Sequence, residues 1–290
     1  MIRSLFSAVS GLLNNQQRMD VIGNNIANVS TVAYKSSDAT FAEAQIQIER
    51  GATTEQPIGF AIGLGARLVG TTTNFNQGAF QRTDVTSDLG LNGEGMYSVG
   101  TTIAGGNAFL TRAGNFIIDS DGYFRTPDGL YLKGQMGTGT TANITAAVTP
   151  TDFTAGNFPT AAVFVPDQIG GVNVSSYSVG LDGVITAVST TGATLDVGQI
   201  HVASFSNENG LRREGNNLYT NTASSGHEGS YIPNSANLST TIQSGSLELS
   251  NVDMAEQFSR MIITQRSFDA NARTISTSDE MLQTLMNLKR

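Results

Sequence analysis

Two histidines and no cysteine bound the chemistry open to this 290-residue chain. His201 lies in Gln199–Phe205, a run whose alternation predicts a strand, and His227 follows Ser224, Ser225 and Gly226 in a Ser/Gly loop. Serine beside histidine suggests a nucleophile and its base. Triad members, however, meet from separate elements, and the strand–G-x-S-x-G–helix setting is missing. The stretch Gly129–Gln135 contains Lys133 but lacks the Gly-Lys-Ser/Thr ending of a phosphate loop. Gly63-Leu64-Gly65 is followed by Leu68 where a dinucleotide fingerprint has glycine. Asp119-Ser120-Asp121-Gly122 opens like a calcium loop, yet its twelfth position is Leu130 rather than glutamate, so a hairpin turn is the reading. The sequence thus predicts no catalytic residue, no cofactor and no metal. An enzyme would need a carboxylate pair that no motif reveals.

Composition narrows the classes further. Charged residues make up 14%, well under the roughly 25% of ordinary soluble domains. Without cysteine there is neither a disulfide framework nor a thiolate metal site. The net charge of −8 argues against nucleic acid, whose phosphates need a basic face. That charge is unevenly placed: residues 1–30 carry +1, residues 31–249 carry −9, and residues 250–290 carry none. Near-neutral ends can approach one another without repulsion, and an acidic middle suits a solvated surface. No run of about 18 apolar residues spans a membrane. Arg3 followed by Leu5–Leu13 has the outline of a signal peptide. It runs into Asn14-Asn15-Gln16-Gln17 without a small-x-small cleavage pattern, so it reads as a mature helix.

Both ends carry a heptad rhythm. Leu5, Val9, Leu12, Gln16, Met19, Gly23 and Ile26 are spaced four, three, four, three, which predicts a helix over 3–28 about 40 Å long. Met254, Phe258, Met261, Gln265, Phe268, Ala272, Ile275, Asp279, Leu282 and Met286 keep the same alternation. Ser250 followed by Asp253 reads as a capping box, and Lys289 and Arg290 sit where cations favour a helix end. The glutamines at 16 and 265 suggest control of register rather than maximal stability. A narrow stripe of this kind fits either an intramolecular bundle or packing against neighbouring copies.

Between the ends the pattern turns to short β-favouring runs and turn signals. Hairpins are predicted around Asp119–Gly122, around Thr126-Pro127-Asp128-Gly129, and around Asp182-Gly183. Residues 135–160, rich in Gly, Thr and Ala, read as a loop or small insertion. Phe41–Ile48 fits helix or strand, and Gly51–Pro57 reads as linker.

The terminal runs resemble the signatures of bacterial flagellar rod and hook proteins. At the front these are Ser4–Leu12, Met19–Thr31 (with Asn24, Asn25 and Asn28), Tyr34-Lys35-Ser36 and Thr40-Phe41. At the back they are Leu247–Asp253, Met261–Arg266 (with Gln265 and Arg266), Ala270–Arg273 (with Asn271) and Ser278–Leu282. Weaker echoes lie in Gly63-Leu64-Gly65 and Leu110–Phe116. Within that family the closing Asn287-Leu288-Lys289-Arg290 looks most like the hook. The length of 290 residues leaves little room for a further outer domain and equally fits a distal rod subunit.

The expected fold is α+β: long N- and C-terminal helices form a coiled-coil-like core domain, with a central all-β domain between them. The expected parts are the first core helix (1–32), a linker or extended connecting region (33–70), a β-rich outer domain (71–248, with 135–175 as a candidate small insertion) and the second core helix (249–290). Self-assembly is expected through Leu5, Val9, Leu12, Met19, Ile26, Met254, Phe258, Met261, Phe268, Ile275, Leu282 and Met286. The resemblance implies a tubular hook that joins rod to filament, with the distal rod as the alternative. It also implies export by the flagellar apparatus without a cleaved signal. The implied partners are further copies, the hook cap, the distal rod and the hook–filament junction proteins. A β-rich extracellular binding module is the rival from another class.

Overall fold

The computed structural model describes residues 2–50, 60–105, 108–149, 151–154 and 157–288. Its chain is mostly β, with one long helix at each end: α1 (Ile2–Ala27) and α2 (Met254–Leu288). Two compact units emerge. The helical unit comprises Met1–Val29, Lys35–Asn74 and Val252–Arg290, and the β unit comprises Ser30–Tyr34 and Phe75–Asn251.

In the helical unit α1 ends as Asn28 turns back, its amide donating to the Asn24 carbonyl at 2.9 Å. The cap of α2 is Asp253 rather than Ser250. The Asp253 carboxylate accepts the backbone N–H groups of Ala255 (2.8 Å) and Glu256 (3.3 Å), satisfying two donors that no helical carbonyl can reach. Lys289 and Arg290 lie outside the described residues. Many hydroxyls of α2 bond to the helix's own carbonyls: Thr264 to Arg260 (2.8 Å), Ser267 to Ile263 (2.9 Å), Thr274 to Ala270 (3.0 Å) and Ser278 to Thr274 (2.7 Å). Such back-bonding lets a hydroxyl residue sit mid-helix without seeking water.

Residues 33–70, expected as a linker or extended connecting region, hold paired strands. Ser37–Glu43 pairs antiparallel with Ala66–Thr73, with a bulge between Thr40 and Phe41, and Ile46–Arg50 pairs with Phe60–Gly63. Phe41–Ile48 is therefore strand at both ends, resolving the helix-or-strand ambiguity. The linker expected at 51–57 falls outside the described residues.

The β unit builds its core from many short strands whose pairings close on themselves. The turns predicted at 119–122, 126–129 and 182–183 are present. Gly122 donates to the Asp119 carbonyl, Gly129 to Thr126 and Gly183 to Gly180, and the flanking strands pair in each case. Leu89, Leu91, Val99, Phe124, Leu132, Ile185 and Val202 are fully buried, each contributing about 1.5–3 kcal/mol of burial. Gln199–Phe205 is strand on both sides of His201 (Thr194–Ile200 and Val202–Phe205), with Gln199 through Ala203 all buried. Residues 135–160, expected as a loop or small insertion, hold the end of Tyr131–Met136 and the short strands Gly139–Thr140, Asn143–Ile144 and Phe153–Thr154.

Candidate self-assembly surface

The helical unit is organised around Asn25. Its amide donates to the Ser37 carbonyl at 2.8 Å and to the Gln257 side chain at 3.2 Å, and its carbonyl oxygen accepts the Ser37 backbone N–H at 3.0 Å. The side chain mimics one rung of a β ladder and joins α1, the strand Ser37–Glu43 and α2. Asn25 and Gln257 are both buried, so every one of these bonds is made away from water. At the other end Gly11 packs against Asn271, where a Cβ would come within 2.5 Å of the Asn271 amide nitrogen. These two contacts fix an antiparallel pair.

The buried positions on α2 are Gln257, Thr264 and Ser278. With Asn271 they recur every seven residues, the heptad interval expected of a paired helix. The seam, however, is small and polar, not the apolar stripe the sequence predicts. Of the predicted assembly residues, Leu5, Leu12, Met19, Ile26, Met261, Phe268 and Ile275 are half-buried flanks of the pair, and Val9, Met254, Phe258, Leu282 and Met286 are exposed. The coiled-coil expectation is thus met in heptad spacing and not in chemistry. Gln16 and Gln265 are exposed and set no register within this chain, and Arg266 is exposed as well. Buried Ala8 and Ile22 complete the inner face of α1.

Beside the pair lies a cavity of about 360 Å³ lined by Val21 and Ile22, Ala39, and Ile263 and Thr264. Arg18 and the Arg260–Asp38 ion pair rim it. Arg260 also pairs with Glu256 one turn earlier, and both carboxylates hold its guanidinium firmly protonated against the opposing pull of burial. Arg18 stacks over the Phe41 ring at 4.8 Å.

The β unit holds polar groups that the sequence did not betray. Arg112 pairs with Glu248 at 2.8 Å, the two side chains 5% and 1% exposed. The same guanidinium donates to the carbonyls of Gly95 (2.6 Å), Leu91 (3.2 Å) and Gly93, and Glu248 accepts the Gly78 N–H at 2.9 Å. Two of the signature runs, Leu110–Phe116 and Leu247–Asp253, therefore meet through one buried pair. Lys133 gathers the carbonyls of Thr102, Ile103, Gly105 and Thr160, and burial lowers its pKa.

Neither histidine is placed for catalysis. His201 is fully buried, its Nε2 3.0 Å from the Thr151 carbonyl, and burial lowers its pKa. His227 stacks on Phe158, with centroids 4.1 Å apart, and burial depresses it too. The Ser225 hydroxyl bonds to Asn221 and to the Thr222 carbonyl within its own turn. Among the described residues no group of three or more acidic or histidine side chains is arranged to hold a metal ion, and no helix is long and apolar enough to cross a membrane.

Three family models match this chain. Residues 5–35 match the flagella basal body rod protein, residues 90–187 the flagellar hook protein FlgE/F/G D1 domain, and residues 243–288 the C-terminal region of the flagellar basal body rod FlgEFG proteins. The flagellar basal-body rod protein FlgG of Bacillus subtilis is 38% identical over 295 positions, covering all of both chains. The chain belongs to the flagellar rod and hook family. The FlgG rod protein of Borreliella burgdorferi is 30% identical over 297 positions, and the FlgE hook protein of the same organism is 29% identical over 445, each covering both chains fully. A crystal structure of the Helicobacter pylori hook protein FlgE2 covers 58% of this chain and all of its own, at 9% identity and a TM-score of 0.42, too low a likeness to bear on the fold. As a family member the chain is a structural subunit of the flagellar rod or hook, not an enzyme. The first and last matched segments contain Asn25 and Gln257, and Glu248 lies in the last. The residues that knit each unit together are thus within the stretches that define the family.

Proposed function

We propose that this chain is a rod subunit of the flagellar basal body, of the distal-rod type, rather than the hook protein. The observation that carries this reading is the economy of the alignments. Rod relatives pair with this 290-residue chain over 295 and 297 positions, almost residue for residue, whereas the hook relative needs 445. A large block of that hook protein has no counterpart here. The hook reading rests on the wording of the last residues and on hook relatives such as that of Borreliella burgdorferi.

The subunit assembles with further copies of itself and is exported without a cleaved signal. Its exposed apolar side chains on the helical unit (Val9, Met254, Phe258, Leu282 and Met286) find their cover on neighbouring copies. A head-to-tail contact that does not close generates a helical tube rather than a ring. Phe258→Asp changes an exposed position, so monomer stability should stay within about 0.5 kcal/mol while incorporation into the flagellum is lost. Immunogold labelling of isolated basal bodies tests the assignment directly. Label on the straight rod is expected, and label on the curved hook would transfer the chain to the alternative.

A further inference from the structure

Residues 151–154 lie over a face of the β unit whose side chains are polar. Strand register sets Ser98 beside His201, and Ser230 opposite Phe153. Because side chains alternate along a strand, Ser98, His201 and Ser230 share one face. All three are fully buried, and the hydroxyls of Ser98 and Ser230 make no hydrogen bond among the described residues. A cover over such groups can lift locally, since water then satisfies what the closed state leaves bare.

Side chains fasten this cover. Gln135 donates to the Thr149 carbonyl at 3.0 Å and accepts the Thr151 N–H at 3.0 Å. The Asp152 carboxylate accepts the Ile232 N–H at 2.9 Å and the Asn237 amide at 2.7 Å. The ladder pairing is short, Phe153 and Thr154 against Ser230 and Gly229. His201 closes the middle: its Nε2 lies 3.0 Å from the Thr151 carbonyl, and its ring meets Phe153 edge to face with centroids 5.0 Å apart. The flanks are fixed separately. Val148 donates to the Asp196 carbonyl at 2.9 Å, and the Thr160 carbonyl accepts Lys133 at 3.0 Å.

A carbonyl only accepts, so the single proton of neutral His201 sits on Nε2 and leaves Nδ1 bare. A second proton must enter at Nδ1, which makes no hydrogen bond among the described residues. The carbonyls of Thr151 and Gln199 and the Asp152 carboxylate favour the charged ring, but burial outweighs them. The other charges on adjoining strands are engaged elsewhere: Lys133 with the carbonyls of Thr102, Ile103, Gly105 and Thr160, Glu228 with the hydroxyls of Ser204 and Ser206. An imidazolium here has to reach water, and Thr151 and Phe153 are what lies against the ring. We propose that residues 151–154 are an acid-released strap, shut while His201 is neutral and lifted when its ring takes a second proton. Burial holds the closed ring below the value near 6.5 of an open one. The strap is therefore fully favoured above about pH 6.5 and is released progressively as pH falls below it.

Amide hydrogen exchange of the full chain tests this, read by mass spectrometry at pH 7.5, 6.5 and 5.5 and corrected for the intrinsic pH dependence of exchange. One linked proton raises the open fraction by up to about tenfold per pH unit. Protection across residues 151–154 should fall several-fold from pH 7.5 to 5.5, while the paired strands Val184–Ser189 and Thr194–Ile200 keep theirs. His201→Gln retains an amide donor for the Thr151 carbonyl and takes up no proton, so its protection should stay level across the range. His227→Gln should keep the wild-type response. A wild-type change at 151–154 under about twofold overturns the strap, and that arm needs no variant. A fall shared by the whole β unit overturns it as well, because the event is then global unfolding. A response that survives His201→Gln but vanishes in Asp152→Asn or His227→Gln takes the trigger away from His201.

Discussion

Removing the charge of Glu248 should unseat the β unit more than its position in a short edge-like strand suggests. Glu248→Gln preserves the shape and the acceptor for the Gly78 N–H but strands the Arg112 guanidinium, 5% exposed, among backbone carbonyls. Breaking a buried pair from one side costs about 3–5 kcal/mol. The three carbonyls already bonded to Arg112 soften that cost, so a loss of about 3 kcal/mol is expected. Arg112→Met strands the carboxylate and also frees the carbonyls of Gly95, Leu91 and Gly93, at about 1 kcal/mol each, for a total of about 6 kcal/mol. That approaches the whole stability of a domain, about 5–15 kcal/mol. In the double variant no charge is stranded, and its loss should fall short of the sum of the singles by at least about 2 kcal/mol. Urea unfolding followed by circular dichroism reads all three, tyrosine fluorescence serving as the second probe because the chain has no tryptophan. A Glu248→Gln loss under about 1 kcal/mol, or singles that add to within about 0.5 kcal/mol, would refute the reasoning.

Other perturbations discriminate as sharply. Asn25→Leu deletes three buried bonds and strands the Ser37 backbone groups and the Gln257 amide, so the helical unit should lose about 3 kcal/mol; unchanged amide exchange at Ser37 would contradict the clamp. Gly114→Ala would place a Cβ 1.7 Å from the Leu89 carbonyl oxygen, a clash with backbone that cannot move aside. A loss above about 4 kcal/mol or failure to fold is expected, and a soluble variant with wild-type melting would count against the close approach. The pH response follows from His201 and His227. Burial holds both below the value near 6.5 of an unfolded histidine, so on acidification the unfolded chain takes up protons first. Their contribution is complete above about pH 6.5 and is lost as pH falls toward the folded values. His201→Gln should flatten the fall in melting temperature between pH 7.5 and 5.5; an unchanged slope would exclude this residue.

Where the sequence was legible, local signals and tertiary packing agreed. The heptad rhythm found both helices to within a few residues, and Asp-Gly and Pro-Asp-Gly turns marked three hairpins, because glycine at positive φ is a local requirement. The helix seam was misread for a physical reason. A reading by apolar spacing looks for hydrophobic residues between helices, and here the close approach is made by Gly11, Asn25, Gln257, Thr264, Asn271 and Ser278, with the larger apolar residues left on the flanks. The seven-residue recurrence of small polar residues on α2 was the available signal. Arg112, Lys133 and Glu248 were invisible for another reason. Their partners are backbone groups and a side chain far away in sequence, and a lone charge in a strand is ordinarily solvated. The short strands of 135–160 gave no alternation to read, since two-residue pairings carry no period.

The hydroxyls folded back along α2 have a further consequence. A threonine or serine whose proton is already given to the turn behind it makes no demand on whatever lies opposite. Thr264, Ser267, Thr274 and Ser278 therefore offer their neighbour carbon and closed dipoles, not bonds that must be broken before it shifts. The register of the helix pair is thus set by Asn25 and by the Gly11–Asn271 contact, not by these hydroxyls.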